Sequence, residues 1–192
     1  MVSRSVRPWC LAAWCLAVPL TAAAEETPAA APSPKAVEAI RLLESSDPYQ
    51  RELGFLRLEA LREAATVPAI RRYLDDRNLN MRAYSLRALA AIEGTQAVPL
   101  LLERLRTDRE PTVRRAALLG LEPLAKGNPE ALAAFLSALR DQDTQVRMAA
   151  VDIVSRIDDP KAREALLERN RREHRRDVRR VLNMAMKRIG QP

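Results

Sequence analysis

The sequence predicts an all-α protein, an α-solenoid of about five two-helix repeats. Three observations carry this. First, the stretch Asp108 to Leu121, DREPTVRRAALLGL, recurs as Asp76 to Leu89, DRNLNMRAYSLRAL, and as Asp141 to Val154, DQDTQVRMAAVDIV. Weaker copies start at Ser45 and at Glu173, so that Arg51, Arg82, Arg114, Arg147 and Arg179 align at spacings of 31, 32, 33 and 32. A fixed period of this size marks a repeat architecture, in which each unit buries its apolar face on its neighbours. Second, alanine, leucine and arginine dominate while the chain has only 5 glycines, a composition that favours helix. Third, no segment alternates polar and apolar residues as a strand does.

The first 24 residues read as a secretory signal peptide. Arg4 and Arg7 form a positive start, Trp9 to Leu20 is an apolar run too short to span a membrane comfortably, and Ala22 to Ala24 offer a cleavage site. The rival reading is an uncleaved anchor. Cys10 and Cys15 both fall here, so the mature chain has no thiol and no disulfide. Residues 25–33, EETPAAAPS, read as an extended, mobile Pro/Ala-rich linker.

Repeats are expected at about 34–64, 65–94, 95–127, 128–158 and 159–190. Their first helices are expected near 34–45, 67–74, 96–106, 129–140 and 160–171. Their second helices are expected near 48–63, 79–93, 111–125, 144–157 and 177–189. Asp47-Pro48, Asn128-Pro129 and Asp159-Pro160 each put a capping side chain before a proline at the first helical position. Thr66 and Thr95 are further expected caps. Gly94 and Gly127 suit left-handed helix ends, and Pro123 should end or bend the helix that contains it.

Counting from the aligned arginine, positions one before, three after and seven after lie on one helical face. They are Gln50, Met81, Val113, Val146 and Val178; then Gly54, Ser85, Ala117, Ala150 and Leu182; then Leu58, Leu89, Leu121, Val154 and Met186. This is the expected core. Positions four and five after the arginine, including Phe55, Leu86, Leu118 and Val151, are expected between helices. Positions one and eight after it form the expected floor of a partner-binding groove on the concave face. They run Glu52 and Glu59, Ala83 and Ala90, Arg115 and Glu122, Met148 and Ser155, Arg180 and Lys187. The charged and bulky members, Glu52, Glu59, Arg115, Glu122, Met148, Arg180 and Lys187, are the candidate partner-binding residues. Their charge passes from acidic to basic along the chain, which would orient a ligand.

The repeated pattern, an aspartate in the turn, an arginine six residues on after valine, then Ala-Ala and a leucine, resembles the short HEAT-like repeat of the phycobilisome-lyase type. Asp108/Arg114 and Asp141/Arg147 match it, Asp76/Arg82 matches with Met81 for valine, and Ser45 and Glu173 depart from it. The resemblance covers residues 34–190 and implies the solenoid fold. It also implies that Asp76, Arg82, Asp108, Arg114, Asp141 and Arg147 form a structural ladder between neighbouring repeats rather than a catalytic set. The ankyrin and tetratricopeptide signatures are missing.

Enzyme chemistry has few candidates. His174 is the only histidine, so the paired His-Glu iron motifs of HEAT-like hydroxylases cannot form. There is no glycine-rich phosphate loop, and no metal or cofactor is expected. Charge is uneven: residues 25–155 carry 18 basic and 19 acidic side chains, whereas residues 156–192 carry 12 and 6. The dense run Arg169 to Arg180 has no aromatic for stacking on bases, so an anionic envelope surface is a better match for it than nucleic acid; the plainer reading is a solvated end-cap for the last repeat. The expectation is a monomeric, exported, periplasmic and non-catalytic scaffold that binds a protein or peptide. The alternatives are an enzyme subunit, a bilin-lyase-like cofactor chaperone, or a binder of anionic envelope material. A lyase would belong beside its pigment-protein in the cytosol, so the signal peptide weighs against it.

Overall fold

The computed structural model describes residues 31–189. The expected signal peptide and most of the expected linker lie outside them. Helices pair along the chain as α1 (Pro34–Leu43) with α2 (Pro48–Leu61), α3 (Val67–Arg71) with α4 (Leu79–Glu93), and α5 (Val98–Thr107) with α6 (Pro111–Leu121). Then α7 (Pro129–Ala138) pairs with α8 (Thr144–Val154) and α9 (Pro160–Arg172) with α10 (Arg176–Ile189). The second helices also stack serially, α2 on α4, α4 on α6, α6 on α8 and α8 on α10. They form the spine of an all-α solenoid, and no strand occurs among the described residues.

Local chemistry sets the helix ends. The side chains of Asp47, Asn128 and Asp159 accept the N–H groups that open α2, α7 and α9, each with proline in the first turn. Thr66 and Thr95 do not cap. The Thr66 hydroxyl donates to the Glu63 carbonyl at 2.7 Å, and Thr95 sits inside a short 3-10 turn, Gly94–Ala97. Gly94 and Gly127 do have positive φ, 57° and 76°, but α2 ends on a left-handed Arg62 at φ 53°, which no glycine announced. Pro123 stops α6 at Leu121 and turns the chain into a 3-10 segment. Ser33, at the end of the expected mobile linker, is pinned. Its N–H and Oγ donate to the Glu63 carboxylate at 2.9 and 2.6 Å, and these two bonds hold Glu63 below the usual carboxylate range.

The core runs along the spine. Met81, Val113, Val146 and Val178 are buried, as are Gly54, Ser85, Ala117, Ala150, Leu182, Leu58, Leu89, Leu121 and Val154. The exceptions are Gln50 and Met186, both half-buried and both in end repeats, which have a neighbour on one side only among the described residues. Small residues set the approach of paired helices. A Cβ on Gly54 would lie 2.8 Å from Leu43 Cδ2 and 2.9 Å from the Ala39 carbonyl oxygen, so α1 and α2 meet backbone to backbone. Gly54→Ala should therefore lower the unfolding free energy by about 1–3 kcal/mol in urea titrations, as overpacking does. Ala117→Leu, whose site is fully buried, should fall in the same range.

Joints between repeats carry a recurring guanidinium bridge. Arg82 donates through Nη1 to the Asp76 carbonyl, 2.7 Å, in its own turn, and through Nε and Nη2 to Asp108 of the next turn, 3.1 and 3.2 Å. Arg114 donates to the Asp108 carbonyl, 3.0 Å, and to both oxygens of Asp141, 2.8 and 2.7 Å. Arg147 donates to the Asp141 carbonyl, 2.9 Å, and to Glu173, 3.0 Å. Each acceptor carboxylate also holds its own turn by accepting a backbone N–H two residues on, from Glu110, Asp143 and Arg175. Arg51 donates only to the carbonyls of Ser45 and Ser46. At that first joint the Tyr73 hydroxyl donates to the Leu43 carbonyl instead.

Removing one member of a largely buried pair strands the other charge. Arg114→Ala should lower stability by about 3 kcal/mol, and Arg114→Lys should recover little of it, because an ammonium cannot reproduce the two-pronged bond. Melting curves of the two variants decide the point, and an unchanged melting temperature for Arg114→Ala would refute the bridge as a joint.

Glu173 adds a pH dependence. Burial pushes its carboxyl up, but hydrogen bonds from Arg169, the Arg175 N–H and Arg147 outweigh that and hold it at about 2, against an ordinary 4.5. A folded value below the unfolded one stabilises fully above pH 4.5 and is lost as pH falls towards 2. Melting temperature followed from pH 6 to pH 2 should fall less steeply in Glu173→Gln than in the parent, and start lower.

Candidate functional site

A groove of about 590 Å3 crosses α2, α4 and α6, open along the second helices. It exists because α4 presents small residues there: Ala83 and Ala90 leave room where a longer side chain would fill the space between neighbours. Packing is tight beneath it. A Cβ on Gly120 would lie 3.3 Å from the Ala90 Cβ and 3.3 Å from Leu101 Cδ2.

Polar groups converge on this groove. Tyr84 lines it, with its ring 6.0 Å from that of buried Phe55, which in turn meets Tyr73 edge-on at 5.4 Å. The Tyr84 phenol is pushed up, first by burial and then by the nearby Glu52 carboxylate. Arg87 donates to Glu59 across the α2–α4 joint at 3.1 Å. Arg115, on α6, is exposed, and no carboxylate lies within 4 Å of it among the described residues. Leu119, 39% exposed, supplies an apolar wall. A ligand with an apolar body and a few fixed polar groups matches such a lining.

The seven candidate partner-binding residues do not form one surface. Glu59 and Arg115 line the groove, with Ala83 and Ala90 between them. Glu52 does not line it. Glu122 is paired with Arg156, and Met148 packs half-buried against the core. Ser155 is buried, its hydroxyl accepting from Arg188 at 2.8 Å. Arg180 and Lys187 lie apart on α10, around a shallower recess. Of the positions expected between helices, Phe55, Leu86, Leu118 and Val151, four after the arginine, are buried, whereas Leu56, Arg87 and Leu119, five after it, are exposed. Arg87 and Leu119 belong to the groove, and with Tyr84 they are the lining residues that wheel reasoning missed. An aromatic two after the aligned arginine, unique to this repeat, was the available signal.

A second recess, of about 990 Å3, opens between α5 and α7. Its ionic wall includes Asp108, Arg114 and Asp141, which are committed to the bridges, together with Arg106, Arg109, Glu130 and Arg140, which are not. His174 is exposed, and no group of three or more potential metal ligands occurs among the described residues. No described helix is long and apolar enough to cross a membrane.

Known proteins resemble this architecture and its sequence. A family profile described as HEAT repeats matches residues 36–122 and 99–187. The bilin biosynthesis protein RpcF of Synechococcus sp. strain WH8020 is 38% identical over 92 residues, covering 44% of this chain and 44% of that protein. The phycocyanobilin lyase subunit beta of Nostoc sp. strain PCC 7120 is 34% identical over 116 residues, covering 55% of this chain and 58% of that one. The chain thus spans about half the length of these curated relatives. Among solved structures, the complex of CpcE and CpcF of phycocyanin lyase from Nostoc contains a chain matched at 28% identity and TM-score 0.65, over 79% of this chain and 97% of that one.

These relatives correct three expectations. A non-catalytic exported scaffold, an absence of enzyme function and a periplasmic location are each overturned by kinship with lyase and bilin-biosynthesis proteins. The signal-peptide reading of residues 1–24 is what weighs against a lyase in the sequence. The shortage of nucleophiles and metal ligands was also read too strongly, since a chain that orients a substrate against a partner's reactive group needs none of its own. The solved neighbour is a complex of two proteins, which supports a protein partner and lends nothing to an envelope surface or to a signal peptide.

Proposed function

The chain belongs to the HEAT-repeat family, and from that premise we propose that it acts as an enzyme subunit of the bilin-lyase type, working with a protein partner. The observation that carries this is the match over 97% of one chain of the phycocyanin lyase complex at 28% identity, together with the two curated relatives of like name. In this reading the substrate is a bilin, a linear tetrapyrrole with apolar ring edges, pyrrole N–H groups and propionate carboxylates.

The groove suits such a molecule. Leu119, Ala83 and Ala90 offer the apolar floor, and Tyr84 is fixed by Phe55 as a hydroxyl-bearing edge. Arg115 is a cation that a propionate would pair with, unlike Arg87, which is already committed to Glu59. Glu59, held by Arg87, offers a carboxylate oxygen to a pyrrole N–H. The chain's contribution is to hold and orient the pigment, while the partner completes the site. The Arg82–Asp108 bridge sets the spacing of α4 and α6 beneath it, and the Arg87–Glu59 pair joins α2 to α4.

Titration of the full chain with phycocyanobilin, followed by visible absorbance and induced circular dichroism, tests this. Saturable binding with an induced optical signal is expected, and Arg115→Glu should weaken it about tenfold, or about 1.4 kcal/mol. Absence of any induced signal, with the fold intact, would refute the reading.

A further inference from the structure

The ladder of bridges has an open end. Arg82, Arg114 and Arg147 each meet a carboxylate of the following turn, at Asp108, Asp141 and Glu173. Arg179 holds the same repeat position on α10, yet it is exposed, and no carboxylate lies within 4 Å of it among the described residues. The stacking position four residues on gives the same message. Phe55, Leu86, Leu118 and Val151 are buried there, each on a second helix that packs against the next. On α10 that position is Asn183, and it is exposed. The face of α10 on which a further helix would stack is therefore uncovered among the described residues.

Its chemistry is cationic. Arg176, Arg180, Asn183 and Lys187 fall in one stripe opposite the buried Val178, Leu182 and Ala185, with Met184, 63% exposed, beside it. Neither Arg176, Arg180 nor Lys187 has a carboxylate within 4 Å among the described residues. Like charges four apart on a helix repel. Arg176 and Arg179 also stand in the first turn, at the positive end of the helix dipole. The arrangement thus costs the isolated fold stability, and an acidic partner would reverse that sign.

We infer that this face of α10 is a docking surface for an acidic helix of a partner protein. That partner supplies Arg179 with the carboxylate that Asp108, Asp141 and Glu173 supply to the earlier arginines. Arg176 to Lys187 spans about 17 Å, the length of a three-turn helix contact. Neither α9 nor α10 carries an aromatic on which bases could stack, which disfavours a nucleic acid. A single exposed methionine is too little apolar surface for a membrane. The inference does not depend on the bilin reading.

The test is fluorescence anisotropy with the full chain at low salt. The probe is a stapled helical peptide with glutamates at i, i+4, i+7 and i+11. The controls are a scrambled peptide of equal charge, oligouridylate, and phosphatidylglycerol vesicles. The striped peptide should bind at least fivefold tighter than the scrambled one and weaken as salt rises. The triple variant Arg176→Glu, Arg180→Glu, Lys187→Glu should lose at least tenfold, and Arg179→Gln alone severalfold, with phycocyanobilin titration unchanged. If the triple variant melts early, Arg180→Gln with Lys187→Gln serves in its place. Equal binding of the scrambled peptide, survival of peptide binding in the variants, or tighter binding of oligouridylate or vesicles that the same variants abolish would overturn the proposal.

Discussion

Each joint from the second repeat onward depends on one guanidinium that faces two ways. Through Nη1 it ties down the carbonyl of its own turn, and it reaches the carboxylate of the next through Nε and Nη2 at Arg82 and Arg114 and through Nε at Arg147. That carboxylate in turn accepts a backbone N–H of its own turn. The bridge therefore shapes two turns and sets the distance between them. Its members are little exposed, 7% and 6% for Arg82 and Asp108, so desolvation removes much of the gross Coulomb gain. Hydrophobic burial along the spine drives the fold, and the bridge makes the register of one repeat on the next unique. The same logic explains why its members are costly to remove singly.

The groove is a consequence of that register. Once α2, α4 and α6 are held side by side, positions one and eight after the arginine on α4 lie buried at the bottom of the gap between two neighbours. Alanine at both places leaves a trough instead of a ridge. The residues that make it more than a trough are those that break the repeat: Tyr84, Arg87 and Arg115 are not echoed at the matching positions of α8, where Ala149, Asp152 and Met148 stand.

This separates what was legible in the sequence from what was not. Period, helix pairing, caps at Asp47, Asn128 and Asp159, and the buried face were all written in residues that recur, and recurrence can be read without coordinates. Glu173 was passed over as a departure from the aspartate pattern. It nevertheless accepts from Arg147, because one further methylene lets a glutamate span the same gap. Leu56, Arg87 and Leu119 were misassigned because a helical wheel treats positions four and five alike, whereas stacking buries the first and leaves the second at the rim. Glu122 and Ser155 share the register of Glu59 and Ala90, yet they are claimed by Arg156 and Arg188, and side-chain pairing across repeats is not periodic. Compartment was the least legible, because it rests on residues 1–24, outside the repeat altogether.

In a solenoid, a side chain that repeats is answerable to its neighbouring repeats, and a side chain that does not repeat is released from that duty. The two ends of the ladder apply this differently. At the first joint, Arg51 is satisfied by the carbonyls of Ser45 and Ser46, and a tyrosine hydroxyl replaces the missing bridge, so that end is closed within the chain. At α10 the aligned arginine has no carboxylate partner among the described residues, and the stacking position has become an asparagine flanked by cations. A mere cap would need only polar residues of mixed sign. Retaining the bridging arginine while removing apolar stacking residues keeps the ionic half of the joint and discards the apolar half. Such a surface is stable in water alone, yet complementary to the turn of another helical protein, which is what a reversible joint between two chains requires.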